Sequence, residues 1–338
     1  MKKILINVPG FSNGRLFGPP ARDGVLDPWI YLRDRLRRIG YDLETIDDRP
    51  VDGAEWIWFW DAVGVPESSW RDTVRHAKFR FLTRSRSDEG RPRLFKECIK
   101  AGLQNRIALF IGEPPTVLPR NWDTRVHELF PKILTWSDLQ VDGVRFHKYY
   151  NPTTHRFPSV QDIQFRKRKL LVNISSNNSS SHPRELYSAR RQTIRYFEQS
   201  HQRDFDLYGV GWNDSYPSYR GTTKHKWDIF PNYRFGLCYE NMRDEPGYIT
   251  DKIFDCMRAG CVPIYWGAPN VTDVVDLDAF VDRRQFKTDQ DLADYLLSVS
   301  ENEWESRRQA IRRYLQTEKF RRFTSPAFAD TIIRVFSL

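Results

Sequence analysis

No apolar stretch in the sequence approaches the roughly 20 residues that a membrane span needs. The apolar runs are strand-sized, as at Trp56 to Trp60 and Ile107 to Ile111. Among 338 residues there are four cysteines, Cys98, Cys238, Cys256 and Cys261, and no Cys-x-x-Cys pair. Three of them lie in apolar runs, which reads as free buried thiols of a reducing compartment. The seven histidines are scattered and none stands at ligand spacing from a cysteine, which argues against a zinc site. Internal repeats are missing, and the one low-complexity tract is the polar run Ser175 to Ser181. The run Ile4 to Val8 is too short for a signal-peptide core and ends at Pro9-Gly10, so it reads as a first buried strand.

What is present points to a globular α/β protein. The chain is 40% hydrophobic and 29% charged, which excludes a disordered chain. Its length of 338 residues fits two domains of about 150 residues each. A net charge of +9 favours an anionic partner: nucleic acid, acidic lipid or a phosphate-bearing ligand. Aromatic residues at 14% suit stacking or sugar-facing surfaces as well as core.

Short apolar runs alternate with amphipathic segments, the pattern of parallel sheets with helices on their faces. Strands are predicted at Ile4–Val8, Tyr41–Ile46, Trp56–Trp60, Ile107–Ile111 and Ile133–Trp136, with helices over 28–39 and 93–103. The segment Tyr149 to Lys169, with Asn151-Pro152 and a basic cluster, reads as a linker or a long surface loop. Beyond it a second alternation predicts strands at 170–174, 205–208, 233–239 and 262–266, and helices over 184–199 and 249–259. The domains expected are 1–155 and 165–338, the second ending in a helical tail.

The segment Tyr233 to Asn270 carries the chemistry. A buried strand ends in Glu240 and Asn241, and a loop with Pro246-Gly247 leads into a helix with Thr250 as N-cap. Ile249, Ile253 and Met257 recur every four residues and are expected to face the sheet. Asp251 and Lys252 then fall in the first turn. Free N–H groups and the helix dipole favour a phosphate there, and Lys252 adds a full charge. A solvated first turn is the alternative.

This stretch resembles the family 10 glycosyltransferases, the α-1,3/α-1,4-fucosyltransferases. The matching blocks are Tyr239-Glu240-Asn241-Met242, Tyr248-Ile249-Thr250-Asp251-Lys252, and Gly260-Cys261-Val262-Pro263-Ile264-Tyr265-Trp266-Gly267. Met242 replaces the usual Ser and Asp251 the usual Glu. The resemblance implies a GT-B-like α/β fold, with two Rossmann-like domains facing across a cleft. It also implies inverting transfer of fucose from GDP-β-L-fucose without an essential metal or other cofactor. The C-terminal domain would hold the donor through Arg190, Glu240, Asn241, Tyr248, Asp251 and Lys252, with Arg184 and Arg191 competing with Arg190 for the diphosphate. The N-terminal domain would bind an oligosaccharide or glycolipid acceptor. Glu113, in Gly112-Glu113-Pro114-Pro115 after a strand, would be the catalytic base. On the residues alone, a turn glutamate pointing at water is the other reading. No convincing Asp-x-Asp follows a strand end; Asp276-Leu277-Asp278 has the spacing but reads as a surface loop.

Three features remain. The run Arg307, Arg308, Arg312, Arg313, Lys319, Arg321 and Arg322 is interleaved with apolar residues, so it can dock on an acidic membrane or simply pack as a helix with a solvated basic face. A second basic stretch runs from Lys78 through Arg80, Arg84, Arg86, Arg91 and Arg93 to Lys96, as a solvated loop or a flank for an acidic acceptor. Trp56, Trp58 and Trp60 alternate along one strand, for core packing or as a stacking platform for sugars. The expectation is an enzyme of cell-surface polysaccharide or lipopolysaccharide synthesis, in the cytoplasm or peripheral at the inner membrane face. Its rivals are a relative using another GDP-sugar and a basic nucleic-acid-binding protein, the latter without any recognised motif.

Overall fold

The computed structural model describes residues 1–11, 13–19, 22–47, 49–66, 91 and 93–338. They form two compact units, one of residues 1–20, 28–149 and 328–338, the other of residues 21–27 and 150–327. Most of the basic stretch expected at 78–96 lies outside the described residues.

The first unit comprises β1 (Lys2–Asn7), α1 (Asp27–Arg38), β2 (Tyr41–Thr45), β3 (Ala54–Trp60), α2 (Leu94–Lys100), β4 (Ile107–Ile111), α3 (Thr124–His127), β5 (Lys132–Thr135) and β6 (Phe146–Lys148). Its six strands lie in the order β2-β1-β3-β4-β5-β6. Every pairing is parallel, with Ile4 opposite Leu43 and Phe59 opposite Leu109. All five residues of β4 are fully buried, as a strand covered on both faces requires. The short β6 has no apolar run, so periodicity did not reveal it.

In the second unit follow β7 (Lys169–Ile174), α4 (Tyr187–Ser200), β8 (Phe205–Tyr208), β9 (Tyr233–Tyr239), α5 (Asp251–Arg258), β10 (Val262–Trp266), β11 (Val281–Asp282), α6 (Asp289–Ser298), α7 (Glu301–Tyr314) and α8 (Glu318–Arg321); the last helix, α9 (Ser325–Phe336), belongs mostly to the first unit. The sheet order is β11-β10-β9-β7-β8, again all parallel. Two parallel Rossmann-like sheets are thus present, as the alternation predicts. Ile249, Ile253 and Met257 are buried in the core of this unit, which fixes α5 on the sheet.

Two expectations change. The segment read as a linker is built into the second unit from residue 150 onward. There Thr153 N–H donates to Phe323 O at 2.7 Å, and Arg168, 3% exposed, donates to the carbonyls of Ile163 and Gly260. Arg168 thus satisfies backbone groups rather than water, while most of residues 155–167 are exposed and irregular, as the surface-loop alternative expects. The end of the tail is the other change: residues 328–338 group with the first unit rather than the second. Phe336 of α9 meets the rings of Trp56 and Trp58 at 4.8 and 4.9 Å between centroids, and Phe328 meets Trp29 at 5.4 Å. Trp58 is therefore core, while Trp56 and Trp60 are half-buried and pack against Phe336 and against Trp29 and Phe110 respectively. Much of the basic tail is internally neutralised, Arg308 by Asp162 and Glu305, Arg312 by Glu305, Lys319 by Asp276 and Arg321 by Glu318.

Candidate functional site

At the carboxyl end of β9 the chain leaves the sheet with Glu240 completely buried. Its backbone N–H stays tied to β10 through Trp266 O at 2.8 Å. The carboxylate reaches the start of α5, accepting from Thr250 N at 2.8 Å, Thr250 Oγ1 at 2.8 Å and Lys252 Nζ at 2.9 Å. Lys252 Nζ also donates to Thr250 Oγ1 at 3.0 Å. Thr250 is the N-cap, as its residue type predicts. Four groups thus form one knot at the positive end of α5, and the charge of Lys252 is matched by a buried carboxylate rather than left open.

Arg190 stands in the first turn of α4 and is 4% exposed. Its Nη2 donates to Tyr239 O at 2.7 Å and Glu240 O at 3.0 Å, pinning the end of β9. The competing arginines are placed differently. Arg184 Nη1 binds Asp244 O at 2.8 Å and Glu245 Oε2 at 2.9 Å. Arg191 binds Asn178 O and Ser188 Oγ on the surface. Tyr248 is buried, with its carbonyl accepting from Tyr265 Oη at 3.3 Å, and Asn241 O accepts from Leu186 N at 3.2 Å. The structure therefore assembles Arg190, Glu240, Asn241, Tyr248 and Lys252 around one strand end.

Asp251 departs from this group. It forms an ion pair with Lys226 at 2.8 Å, and Lys226 also holds Asp255 at 2.7 Å. Nothing in the local sequence pairs Lys226 with α5. Burial pushes the Asp255 carboxyl up to about 7 against the pull of Lys226, with Asp251 adding to the rise. Asp251, although burial raises it, is held well below the usual range by Lys226 and Lys252. A carboxyl raised in the folded state keeps a proton that the unfolded chain releases at lower pH. Stability tied to Asp255 is therefore full below about pH 4 and lost as pH rises through about 7. Thermal melts between about pH 5 and pH 8 are expected to show this decline in the wild type and a flatter profile in Asp255→Asn.

In the first unit Glu113 follows β4 on a turn held from all sides. Asp61, 6% exposed and at φ 63°, accepts from Gly112 N at 2.8 Å, Glu113 N at 3.0 Å and Asn121 Nδ2 at 2.5 Å, all at Oδ1. Burial raises the Asp61 carboxyl, and these three donors oppose the rise. A Cβ on Gly112 would sit 2.7 Å from the Trp60 indole, so only glycine fits there. Glu113 itself is half-buried.

Residues 164–328 match the family model described as glycosyltransferase family 10 (fucosyltransferase) C-term. The matched segment, just under half of the chain, is similar to that family's fucosyltransferase C-terminal domain. Over 73 residues, 22% of its length, the chain is 37% identical to the alpha-(1,3)-fucosyltransferase FucT of Helicobacter pylori, covering 15% of that protein. Over 195 residues, 56% of its length, the chain is 27% identical to 4-galactosyl-N-acetylglucosaminide 3-alpha-L-fucosyltransferase 9 of Mus musculus, covering 48% of that protein. The chain thus spans about half or less of these relatives' length. A crystal structure of an alpha1,3-fucosyltransferase with GDP-fucose shares the fold, with a TM-score of 0.56 at 15% identity over 100% of this chain and 90% of that one.

The geometry explains two motif positions of the matched segment. A Cβ on Gly267 would lie 2.5 Å from both Glu240 Cγ and Tyr265 Oη, so this glycine makes room for the buried carboxylate. Met242, where the resemblance leads one to expect Ser, is fully buried and bridges to Glu185. No local pattern marks Lys226, Asp61 or Asn121, because each gains its importance from a partner distant in sequence. Asp276 of the Asp-x-Asp spacing is ion-paired to Lys319 at 2.9 Å.

Proposed function

We propose that this protein is an inverting glycosyltransferase that moves L-fucose from GDP-β-L-fucose to a hydroxyl of an acceptor glycan. The observation that carries this reading is the Glu240–Thr250–Lys252 knot at the start of α5, inside the segment matched by the family 10 model. The likeness to a structure bound to GDP-fucose supports the donor. The names of the relatives support an N-acetylglucosamine-type acceptor and α-1,3 linkage.

In this reading Glu113 takes the proton of the acceptor hydroxyl as its oxygen attacks the anomeric carbon. The bond from that carbon to the diphosphate oxygen breaks, and GDP leaves with the electron pair. Charge growing on the diphosphate is met by Lys252, the positive end of α5 and the remaining N–H groups of Arg190, whose Nη2 is already fixed. Such preorganised donors stabilise the transition state without reorganisation. Asn241 and Tyr248 line the donor, and Asp251 reaches it only by giving up Lys226. Contact with an acidic membrane would rest on Arg313 and Arg322, cations of the basic run that have no carboxylate partner among the described residues, since Arg307 is held by Phe280 O and Tyr295 Oη.

Calorimetric titration with GDP-fucose, GDP-mannose and a UDP-sugar tests the donor. Saturable binding of GDP-fucose, with GDP release on adding a galactosyl-N-acetylglucosamine acceptor, is expected. No binding and no release would refute the function, and stronger binding of GDP-mannose would favour a different GDP-sugar.

A further inference from the structure

We propose that Asp61, acting with Asn121, is the positioning residue for the base Glu113, holding the backbone of its turn so that the carboxylate is presented in one place. The inference rests on the reading of Glu113 as base.

The turn owes its shape to side chains. Two consecutive N–H groups, those of Gly112 and Glu113, end on Asp61 Oδ1. Three consecutive carbonyls end on three different side chains. Ile111 O accepts from Tyr149 Oη at 2.8 Å, Gly112 O from Trp136 Nε1 at 2.9 Å and Glu113 O from Asn121 Nδ2 at 3.0 Å. Asn121 is fully buried, and both hydrogens of its amide are used, one on Asp61 and one on Glu113 O. Its own Oδ1 accepts from Ala62 N at 2.8 Å, and its carbonyl meets His127 Nε2 at 2.7 Å. The residues after Glu113 are Pro114 and Pro115, which have no N–H to compete for these acceptors.

Burying a carboxylate is costly in desolvation, and Asp61 also holds a left-handed φ, a conformation that Asp and Asn adopt more readily than other non-glycine residues. Such a residue persists where its surroundings over-determine it, and such outliers cluster at functional sites. Here both backbone groups of Glu113 are held by the Asp61–Asn121 pair. A base must meet its proton within hydrogen-bond reach, and a misplacement of about 1 Å can cost about 10²-fold in rate.

Two substitutions separate positioning from stability. Asp61→Gly accepts φ 63° without strain and deletes the acceptor. Asp61→Asn also tolerates that φ and keeps an oxygen for the two N–H groups. The expected result for Asp61→Gly is a kcat lower by about 10²-fold, with KM for GDP-fucose unchanged and loss of hydrogen-exchange protection at the Glu113 amide. Asp61→Asn should restore kcat to within about tenfold of wild type, since the turn is again held. Thermal melts confirm that each variant is folded. A folded Asp61→Gly protein with wild-type kcat overturns the proposal. Glu113→Gln, assayed alongside, tells the two failures apart: if that variant is fully active, the reading of Glu113 as base has failed instead.

Discussion

Glu113→Gln is expected to lower kcat by about 10²- to 10⁴-fold while GDP-fucose still binds with wild-type affinity. Glutamine keeps the size of the side chain and leaves the turn intact, because the turn is held through backbone groups by Asp61, Asn121, Trp136 and Tyr149. What it loses is the ability to take a proton. The split between unchanged donor affinity and lost turnover is therefore the signature to measure, by calorimetry for the first and GDP release for the second. Equal losses in both would mean that Glu113 serves binding rather than proton transfer, and full activity would remove it from the mechanism.

Glu240→Ala is expected to destabilise the second unit by about 3 kcal/mol and to abolish donor binding. The carboxylate is fully buried, and Lys252 is only 26% exposed. Removing Glu240 leaves an ammonium with poor access to water and strips the Thr250 N–H of its acceptor. Breaking one side of such a pair costs more than the pair is worth, because the remaining charge is uncompensated. Lys252→Met should be harmful for the reciprocal reason. The double variant Glu240→Ala with Lys252→Met should regain part of the lost stability, and the double-mutant cycle with the two single variants measures the coupling. Donor affinity should not return with it, since the cation and the fixed cap are both gone. Thermal or urea unfolding gives the first quantity and titration with GDP-fucose the second. A Glu240→Ala protein with wild-type stability would show that the knot contributes nothing to the fold.

The candidate site was legible to different degrees. The Thr250 cap, the burial of Ile249, Ile253 and Met257, and the polar end of β9 follow from residue type and period. The role of Arg190 was visible only as a choice among three arginines. The structure separates them: Arg190 is buried on the end of β9, whereas Arg184 and Arg191 brace loops. The sequence offers Lys252 as a charge for a phosphate, whereas the structure pairs it with Glu240. The family resemblance implies a donor contact for Asp251, whereas the structure turns it to Lys226. In both cases the missing information was the partner.

By itself the sequence determined two stacks of buried parallel strands with amphipathic helices, the start of α5, and the ordered motif blocks that resemble family 10. These are local properties, set by apolar period, capping chemistry and short-range spacing. Only the tertiary structure decided which charges meet. Lys252 finds Glu240 across 12 residues, Lys226 finds Asp251 across 25, and Asp61 finds the amide of Glu113 across 52. In a parallel sheet adjacent strands are joined by long crossovers, so the groups at their carboxyl ends become neighbours through strand order and register. No local period encodes that order, and for this reason the base was legible as a residue while the pair that holds it was not.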